Sequence, residues 1–124
     1  SDVSFLLDST AQSKVRQGIT LESIGNCGFS LCAPLIGDAR DMFEVWVSDY
    51  SNSYKPTWTN YAGYIEASRK SKATLNIAFQ LGHGTLRAAI VGLDDRPPTA
   101  QELVEMKRLA GESLDAGALG FSTG

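Results

Sequence analysis

The chain has 124 residues, of which 43% are hydrophobic and 20% charged, and its formal net charge at pH 7 is −3. These values are ordinary for a single globular domain and unlike those of a disordered or collagen-like chain. The charges are few and scattered, and neither an apolar run of about 18 residues nor a signal-peptide pattern is present, so we expect no nucleic-acid partner and no membrane span.

The first third of the chain predicts a helix, a strand and a loop. Residues 8–17 have helical spacing, with Asp8 or Ser9 as the cap and Gly18 as the stop. Residues 19–24 contain three β-branched side chains between glycines and predict a strand. Residues 25–40 contain several glycines and prolines among mostly small residues, which predicts a loop.

Two helices are predicted next. The first has an apolar spacing that favours a helix over a strand, although alternation at Phe43, Val45 and Val47 keeps the strand open. Its pattern consists of Phe43, Trp46, Val47 and Tyr50, with Asp41 and Glu44 as a capping pair. After a loop over 51–57, Thr59 or Asn60 caps the second helix. The buried stripe of that helix is Tyr61, Tyr64, Ile65 and Ser68, and its last turn is basic, with Arg69, Lys70 and Lys72.

The last half predicts strand, helix and strand. Residues 74–81 form an apolar strand interrupted by Asn76 and Gln80, and 82–98 are irregular apart from one helical turn at 86–91. Thr99 and Glu102 have the spacing of a capping box. The helix that they begin has an inner stripe of Leu103, Met106, Ala110 and Leu114 and ends at Gly117. Residues 118–123 start a further strand.

This order predicts an α/β fold with about three parallel strands joined by crossover helices. Parallel strands place their carboxyl ends at one edge, where α/β proteins build their sites. Three glycine-rich or hydroxyl-bearing segments follow the strands, so candidate site residues lie there.

The segment over 25–30, GNCGFS, places Cys27 between glycines that permit a tight turn. A thiolate at the edge of a sheet can bind zinc or act as a nucleophile. The alternative is a small cysteine buried in a glycine turn, which is common for free thiols. Because only Cys27 and Cys32 are present, a disulfide framework is not expected and the cytoplasm is the expected compartment.

The segment over 82–87, GHGTLR, contains the only histidine, His83, and also Arg87. His83 can ligate a metal, move a proton or simply bond a loop carbonyl. Arg87 can clamp a carboxylate, or pair with a local acid such as Asp94 or Asp95. At the third strand end, Ser122 and Thr123 can bond a substrate or support a ligand, or serve an ordinary turn. Neither glycine-rich loop has the spacing of a phosphate-binding motif.

Together the three segments resemble the D-aminoacylase, or N-acyl-D-amino-acid deacylase, family of the amidohydrolase superfamily. The segment QGIT at 17–20 leading to GNCGFS is similar to that family's QGVT…GNCGFS block. GHGTLR matches another block, and AGALGFSTG at 116–124 matches a third. The order agrees across nearly the whole chain, which makes the signal specific.

The resemblance implies a partial (β/α)8 barrel over residues 1–124, covering its second to fourth strands. It implies bound zinc, hydrolysis of the amide of N-acyl-D-amino acids, and a metal-ligand role for Cys27. His83 is not carried over as a metal ligand; it stays a substrate-binding or supporting candidate with Arg87, Ser122 and Thr123. The family's His-x-His pair would precede Ser1, and its later ligands would follow Gly124. We therefore expect the isolated chain to be inactive and at best a weak metal binder.

Two alternatives stay open. The chain can be a non-catalytic half-barrel module that folds by self-association or with a partner chain, because unpaired outer strands are templates for pairing. It can also belong to a metal-dependent barrel that acts on cyclic amides, as in dihydroorotase-like relatives, although the resemblance attaches the GNCG cysteine to the D-aminoacylases.

Overall fold

The computed structural model describes residues 2–48 and 54–124. In chain order, the elements of these residues are α1 (Ser4–Leu7), α2 (Gln12–Val15), β1 (Leu21–Ile24), α3 (Gly37–Ser48), α4 (Tyr61–Ser71), β2 (Asn76–Gly82), α5 (His83–Ile90), α6 (Ala100–Asp115) and β3 (Gly120–Ser122).

The three strands form one parallel sheet in the order β1-β2-β3. Ile24 pairs with Phe79 where β1 ends, and Gly82 pairs with Ser122 where β2 and β3 end. The predicted α/β fold with parallel strands and crossover helices is confirmed. All three carboxyl ends therefore meet at one edge of the sheet.

The helices bury one face of the sheet in two apolar clusters. Under α3 and α4, Ile24 packs with an aromatic group centred on Tyr64, whose ring lies 5.1 Å from Trp58 and 5.3 Å from Phe79. Under α5 and α6, Leu81 packs with Leu86, Val91 and Met106. Since successive strand residues alternate between faces, Ile77, Phe79 and Leu81 face the helices, and Ala78 and Gln80 face the opposite side of the sheet.

That second face is polar and open. Gln80 Nε2 donates to Ser23 Oγ at 2.8 Å and to Asn26 Oδ1 at 2.9 Å, which links β2 to β1 and to the loop after it. The two outer strands also expose large apolar side chains, with Leu21 57% and Phe121 45% accessible. The sheet therefore has one packed face, one polar face and two open edges.

The residues predicted to begin α4 and to begin and end α6 are confirmed. The Asn60 side chain accepts from the Gly63 N–H at 2.9 Å and caps α4. Thr99 and Glu102 form the complete capping box of α6. Gly117, with φ +111°, lies just past the end of α6. These motifs depend on neighbours within one turn, which the sequence displays directly.

The predicted helix over 8–17 is wrong in extent. Only the short helix α2 forms within that range, and Ala11, directly before α2, has φ +43°. Asp8 does not cap a helix beginning there, because its Oδ1 accepts from the N–H and hydroxyl of Thr10 in a local turn.

Two other helices begin earlier than predicted. The helix prediction for the segment after residue 40 is confirmed, but α3 starts at Gly37, so Asp41 and Glu44 lie inside the helix and do not cap it. Tyr50 and residues 51–53 of the predicted loop fall outside the described residues. The turn predicted at 86–91 is a longer helix, α5, that starts at His83. β1 begins two residues later than the strand predicted over 19–24 and ends where predicted, and β3 is shorter at both ends than the strand predicted over 118–123.

The inner stripe predicted for α6 is only partly correct. Met106 is buried, whereas Leu103 and Leu114 are 41% and 45% accessible. The helix packs mainly against α5 and β2, and part of its apolar surface, including Val104, remains exposed. Across the described ranges, no helix has the length and apolar content needed to cross a bilayer.

Candidate functional site

The three sequence segments converge at the carboxyl edge of the sheet. The loop after β1, defined here as the Cys27 loop (residues 25–31), lies against the start of α5 and against the end of β3. The Thr85 N–H donates to the Gly28 carbonyl at 3.2 Å. The Gly28 N–H donates to Ser122 Oγ at 3.2 Å. The strand-end arrangement expected from the sequence is therefore present.

Glycines make this convergence sterically feasible. A Cβ atom on Gly82 would lie 2.6 Å from the Gly28 carbonyl oxygen, and one on Gly124 would lie 2.5 Å from the Cys27 carbonyl oxygen. Both values are below any ordinary carbon–oxygen contact, and the opposing atoms are backbone. The glycines of the three segments thus allow three backbones to touch.

Cys27 projects from the outer turn of its loop. Its φ is +58°, and the adjoining Gly25 and Gly28 have φ of +81° and +75°. A left-handed conformation is uncommon for a side-chain-bearing residue, and such conformations recur both at helix ends, as at Ala11 and Lys72, and at functional sites. The thiol is free and exposed. The alternative of a cysteine buried in a glycine turn is therefore excluded for Cys27.

Ser122 holds the turn around Cys27 from the third strand. Its hydroxyl accepts from the Gly28 N–H and donates to the Gly25 carbonyl oxygen. One side chain therefore fixes the two glycines that flank Asn26 and Cys27. Thr123 is exposed, and its backbone carbonyl carbon lies near Gly28.

Asp2 is a site residue that sequence reasoning missed. Its carboxylate is 7% accessible, with Oδ1 accepting from the Gly25 N–H at 3.1 Å and Oδ2 from the Leu31 N–H at 3.2 Å. Burial raises the pKa of the Asp2 carboxyl, and these two backbone bonds oppose that shift. Its partners are backbone groups, which no sequence pattern identifies; the available signal was an acid beside the apolar Val3 and Phe5.

Cys32 is the buried thiol of the pair. Its Sγ donates to the Gln80 carbonyl at 2.8 Å, and burial raises the pKa of the thiol to about 12. A thiol held protonated in this way is a structural side chain and not a nucleophile.

His83 and Arg87, the two candidates in the GHGTLR segment, contact residues outside the Cys27 loop. His83 begins α5, and its ring lies 6.0 Å from that of Phe121 in an edge contact. Arg87 does not pair with a local carboxylate; its Nη2 donates to the carbonyls of Asp94 and Arg96 at 2.8 and 2.7 Å. Arg87 therefore holds the loop after α5, one helical turn away from the strand ends.

A pocket of about 570 Å³ opens beside Cys27 along β1. Its lining has four polar residues besides Cys27, namely Asp2, Glu22, Ser23 and Asn26, and most of its exposed surface is apolar, from Ile24, Phe29, Met42, Phe43 and Trp46. The exposed sulfur therefore faces a space large enough for a small organic group.

The donor chemistry of the edge fits a single metal ligand from this chain. A thiolate is a preferred zinc donor, and Cys27 is exposed, with no hydrogen bond to its sulfur from any residue that the structure describes. In residues 2–48 and 54–124, no group of three His, Cys, Asp or Glu side chains is placed to hold an ion. A complete site would need donors from outside this set.

Comparison with solved structures identifies the class: these parallel βα units match part of an amidohydrolase barrel. The crystal structure of a D-aminoacylase that defines a novel subset of amidohydrolases superposes with TM-score 0.82 and 35% identity, covering 99% of this chain and 25% of that one. The zinc- and inhibitor-bound N-acyl-D-glutamate deacylase of Bordetella bronchiseptica gives TM-score 0.77 at 33% identity, again over 99% and 25%.

Sequence relatives point to the same family. A D-aminoacylase of Alcaligenes xylosoxydans xylosoxydans is 40% identical over 111 residues, 90% of this chain and 22% of that protein. An N-acyl-D-glutamate deacylase of the same organism is 34% identical over 124 residues, 99% and 24%. No family profile matches. The chain is thus homologous to a segment of the N-acyl-D-amino-acid deacylases, and it spans about a quarter of their length.

Proposed function

We propose that the chain is the second-to-fourth-strand portion of a zinc-dependent hydrolase that cleaves the amide of N-acyl-D-amino acids. Within it, Cys27 is the metal ligand that this portion contributes. The observation that carries the proposal is the exposed thiol on a left-handed turn, built where three strand ends meet. Homology to deacylases over nearly the whole chain supports the substrate class.

The chemistry is divided between this portion and the rest of such an enzyme. When bound, the zinc ion lowers the pKa of a water molecule and polarises the scissile carbonyl. Cys27 would hold the ion, and the backbone contacts of its loop would keep the sulfur in place. The largely apolar wall beside Cys27 would exclude water around a bound acyl group or side chain. The remaining ligands and the proton-transferring carboxylate belong to other strands.

The test compares the full-length enzyme with its Cys27→Ser variant. We expect the wild type to contain zinc and to hydrolyse N-acetyl-D-amino acids but not their L-enantiomers. Cys27→Ser should lose at least about tenfold in metal affinity, because a hydroxyl is a poorer zinc donor than a thiolate. Serine is close in size to cysteine, so the thermal midpoint of the metal-free protein should be unchanged. Wild-type zinc content in Cys27→Ser would overturn the proposal.

The 124-residue chain by itself should not turn over these substrates, since one thiol and one histidine do not make a catalytic zinc site. Turnover above that of a matched blank, proportional to chain concentration, would contradict this expectation.

The open sheet edges support a second candidate, a non-catalytic module that pairs with another copy or a partner chain. Leu21 and Leu119 are 57% and 76% accessible at the outer strands. Unpaired strand edges and exposed apolar side chains favour association. Light scattering on the isolated chain would show a dimer or larger species under this proposal, and a monomer would contradict it. Both cysteines are free, which supports a reducing compartment such as the cytoplasm under either proposal.

A further inference from the structure

The Cys27 loop is fixed at four backbone groups by two side chains from opposite ends of the chain. Asp2 accepts the N–H of Gly25 and the N–H of Leu31, and Ser122 takes the carbonyl of Gly25 and the N–H of Gly28. Gly25 is therefore hydrogen-bonded at both its N–H and its C=O. Three of these four groups flank Cys27 within two residues.

We propose that Asp2 and Ser122 are positioning residues for the Cys27 sulfur, a role that rests on the metal-ligand function proposed above. Their hydrogen bonds set the direction of the turn without touching the sulfur itself. The loop needs such support because Cys27 occupies a left-handed conformation that a side-chain-bearing residue rarely adopts.

Burial makes the hydrogen bonds of Asp2 costly to lose, because water cannot replace them. Asp2 is 7% accessible, so its carboxyl group has lost most of its hydration, and the two N–H partners replace part of it. Charge-assisted hydrogen bonds are about twice as strong as neutral ones. The Tyr64 hydroxyl also donates to the Asp2 carbonyl at 3.3 Å, which anchors Asp2 to α4 and the aromatic cluster. The loop is thereby tied to the rigid core.

Asp38 offers a control for the loss of a carboxylate. Its Oδ2 also accepts a backbone N–H, that of Leu93 at 3.2 Å in the loop after α5, but this contact is single and exposed. Asp38→Asn therefore removes a carboxylate charge from a backbone contact outside the Cys27 loop.

The experiment measures Cd²⁺ binding to the metal-free full-length enzyme through the thiolate-to-cadmium charge-transfer band. The proteins are the wild type, Cys27→Ser, Asp2→Asn, Ser122→Ala and Asp38→Asn. Loss of supporting contacts around a metal ligand typically costs about 10–100-fold in affinity. We expect Asp2→Asn and Ser122→Ala each to weaken Cd²⁺ binding at Cys27 by about tenfold or more. Asp38→Asn should bind as the wild type does.

The outcomes separate the two proposals. A charge-transfer band that persists in Cys27→Ser overturns the ligand role of Cys27. A band that is lost there while both supporting variants bind Cd²⁺ like the wild type overturns the positioning role alone, as does an effect confined to one of them. An equal loss in Asp38→Asn overturns it too, because general destabilisation would then explain the data. Where Asp2→Asn does not fold, Ser122→Ala decides by itself.

Discussion

Gly82 and Gly28 lie in backbone contact, so close that a Cβ on Gly82 would stand 2.6 Å from the Gly28 carbonyl oxygen. The next nearest atoms are also backbone, with Ser30 N at 2.8 Å. Neither opposing group can rotate away as a flexible side chain would.

Gly82→Ala is therefore expected to destabilise the protein. Overpacking against a rigid neighbour typically costs about 1–3 kcal/mol. Urea unfolding would measure the loss. Gly111→Ala is the control, since nothing lies within 4 Å of its Cβ position in α6, and alanine should stabilise a helix interior there by about 0.5–1 kcal/mol. Equal stability of wild type and Gly82→Ala would show that the two backbones separate freely.

A second expectation concerns two buried hydroxyls that connect the Cys27 loop to β2 and α5. Ser30 Oγ accepts from the Gly82 N–H at 2.8 Å, and Thr85 Oγ1 accepts from the Ser30 N–H at 2.9 Å. Ser30→Ala and Thr85→Val each leave a buried N–H without its acceptor, so each should cost about 1–3 kcal/mol of unfolding free energy.

The matched control for these hydroxyls is Thr74→Val. Thr74 also bonds a backbone group through Oγ1, but it is exposed, and water can replace the lost bond. Its change should stay within about 0.5 kcal/mol. Chemical denaturation of the three variants would refute the argument if Thr74→Val cost as much as the buried pair.

The loss of folding stability at acidic pH should depend on Glu102. The Arg96 guanidinium, followed by the Thr99 N–H, lowers the pKa of this carboxyl to about 2. A carboxyl whose folded-state pKa is depressed contributes stability that is complete above its unfolded pKa of about 4.3 and is lost as the pH falls towards about 2. Glu102→Gln should make the thermal midpoint decline less steeply between about pH 5 and about pH 2.

Arg96→Gln tests the cause of that shift. Removing the guanidinium should also reduce the loss of thermal midpoint at acidic pH. The double variant Arg96→Gln with Glu102→Gln should show little further change in that loss, because the two residues form one interaction. If the effects of the two single variants added fully in the double variant, the pH dependence would not come from the Arg96–Glu102 interaction.

The two thiols should react very differently. Cys27 is exposed, whereas burial raises the pKa of Cys32 to about 12 and its Sγ donates to the Gln80 carbonyl. Iodoacetamide at mildly alkaline pH should label Cys27 in the folded protein and leave Cys32 untouched until denaturant is added. Peptide mapping by mass spectrometry would report both positions in one sample, and early labelling of Cys32 would contradict the packing described here.

Local signals and parallel topology were predictable, whereas contacts between distant backbones were not. The capping box of Thr99 and Glu102 depends on residues three apart, and the placement of Cys27 and Ser122 at one edge follows from strand order. The start of α5 was missed because glycine disfavours helices, yet Gly84 is needed where a Cβ would come 3.0 Å from the Gly28 carbonyl oxygen. Asp2 was missed because its partners are peptide groups that every residue carries.

The hydrogen bonds that hold Gly25 from both Asp2 and Ser122 also determine when the Cys27 loop can become ordered during synthesis. Ser122 is synthesised about 120 residues after Asp2, so only the Asp2 hydrogen bonds of the turn can form until β3 has been made. Contacts between such distant positions close late in folding. Under the proposed ligand role of Cys27, an ion that meets the nascent polypeptide before β3 is made would find a sulfur that is not yet held in place, so we expect metal loading after this part of the chain has folded.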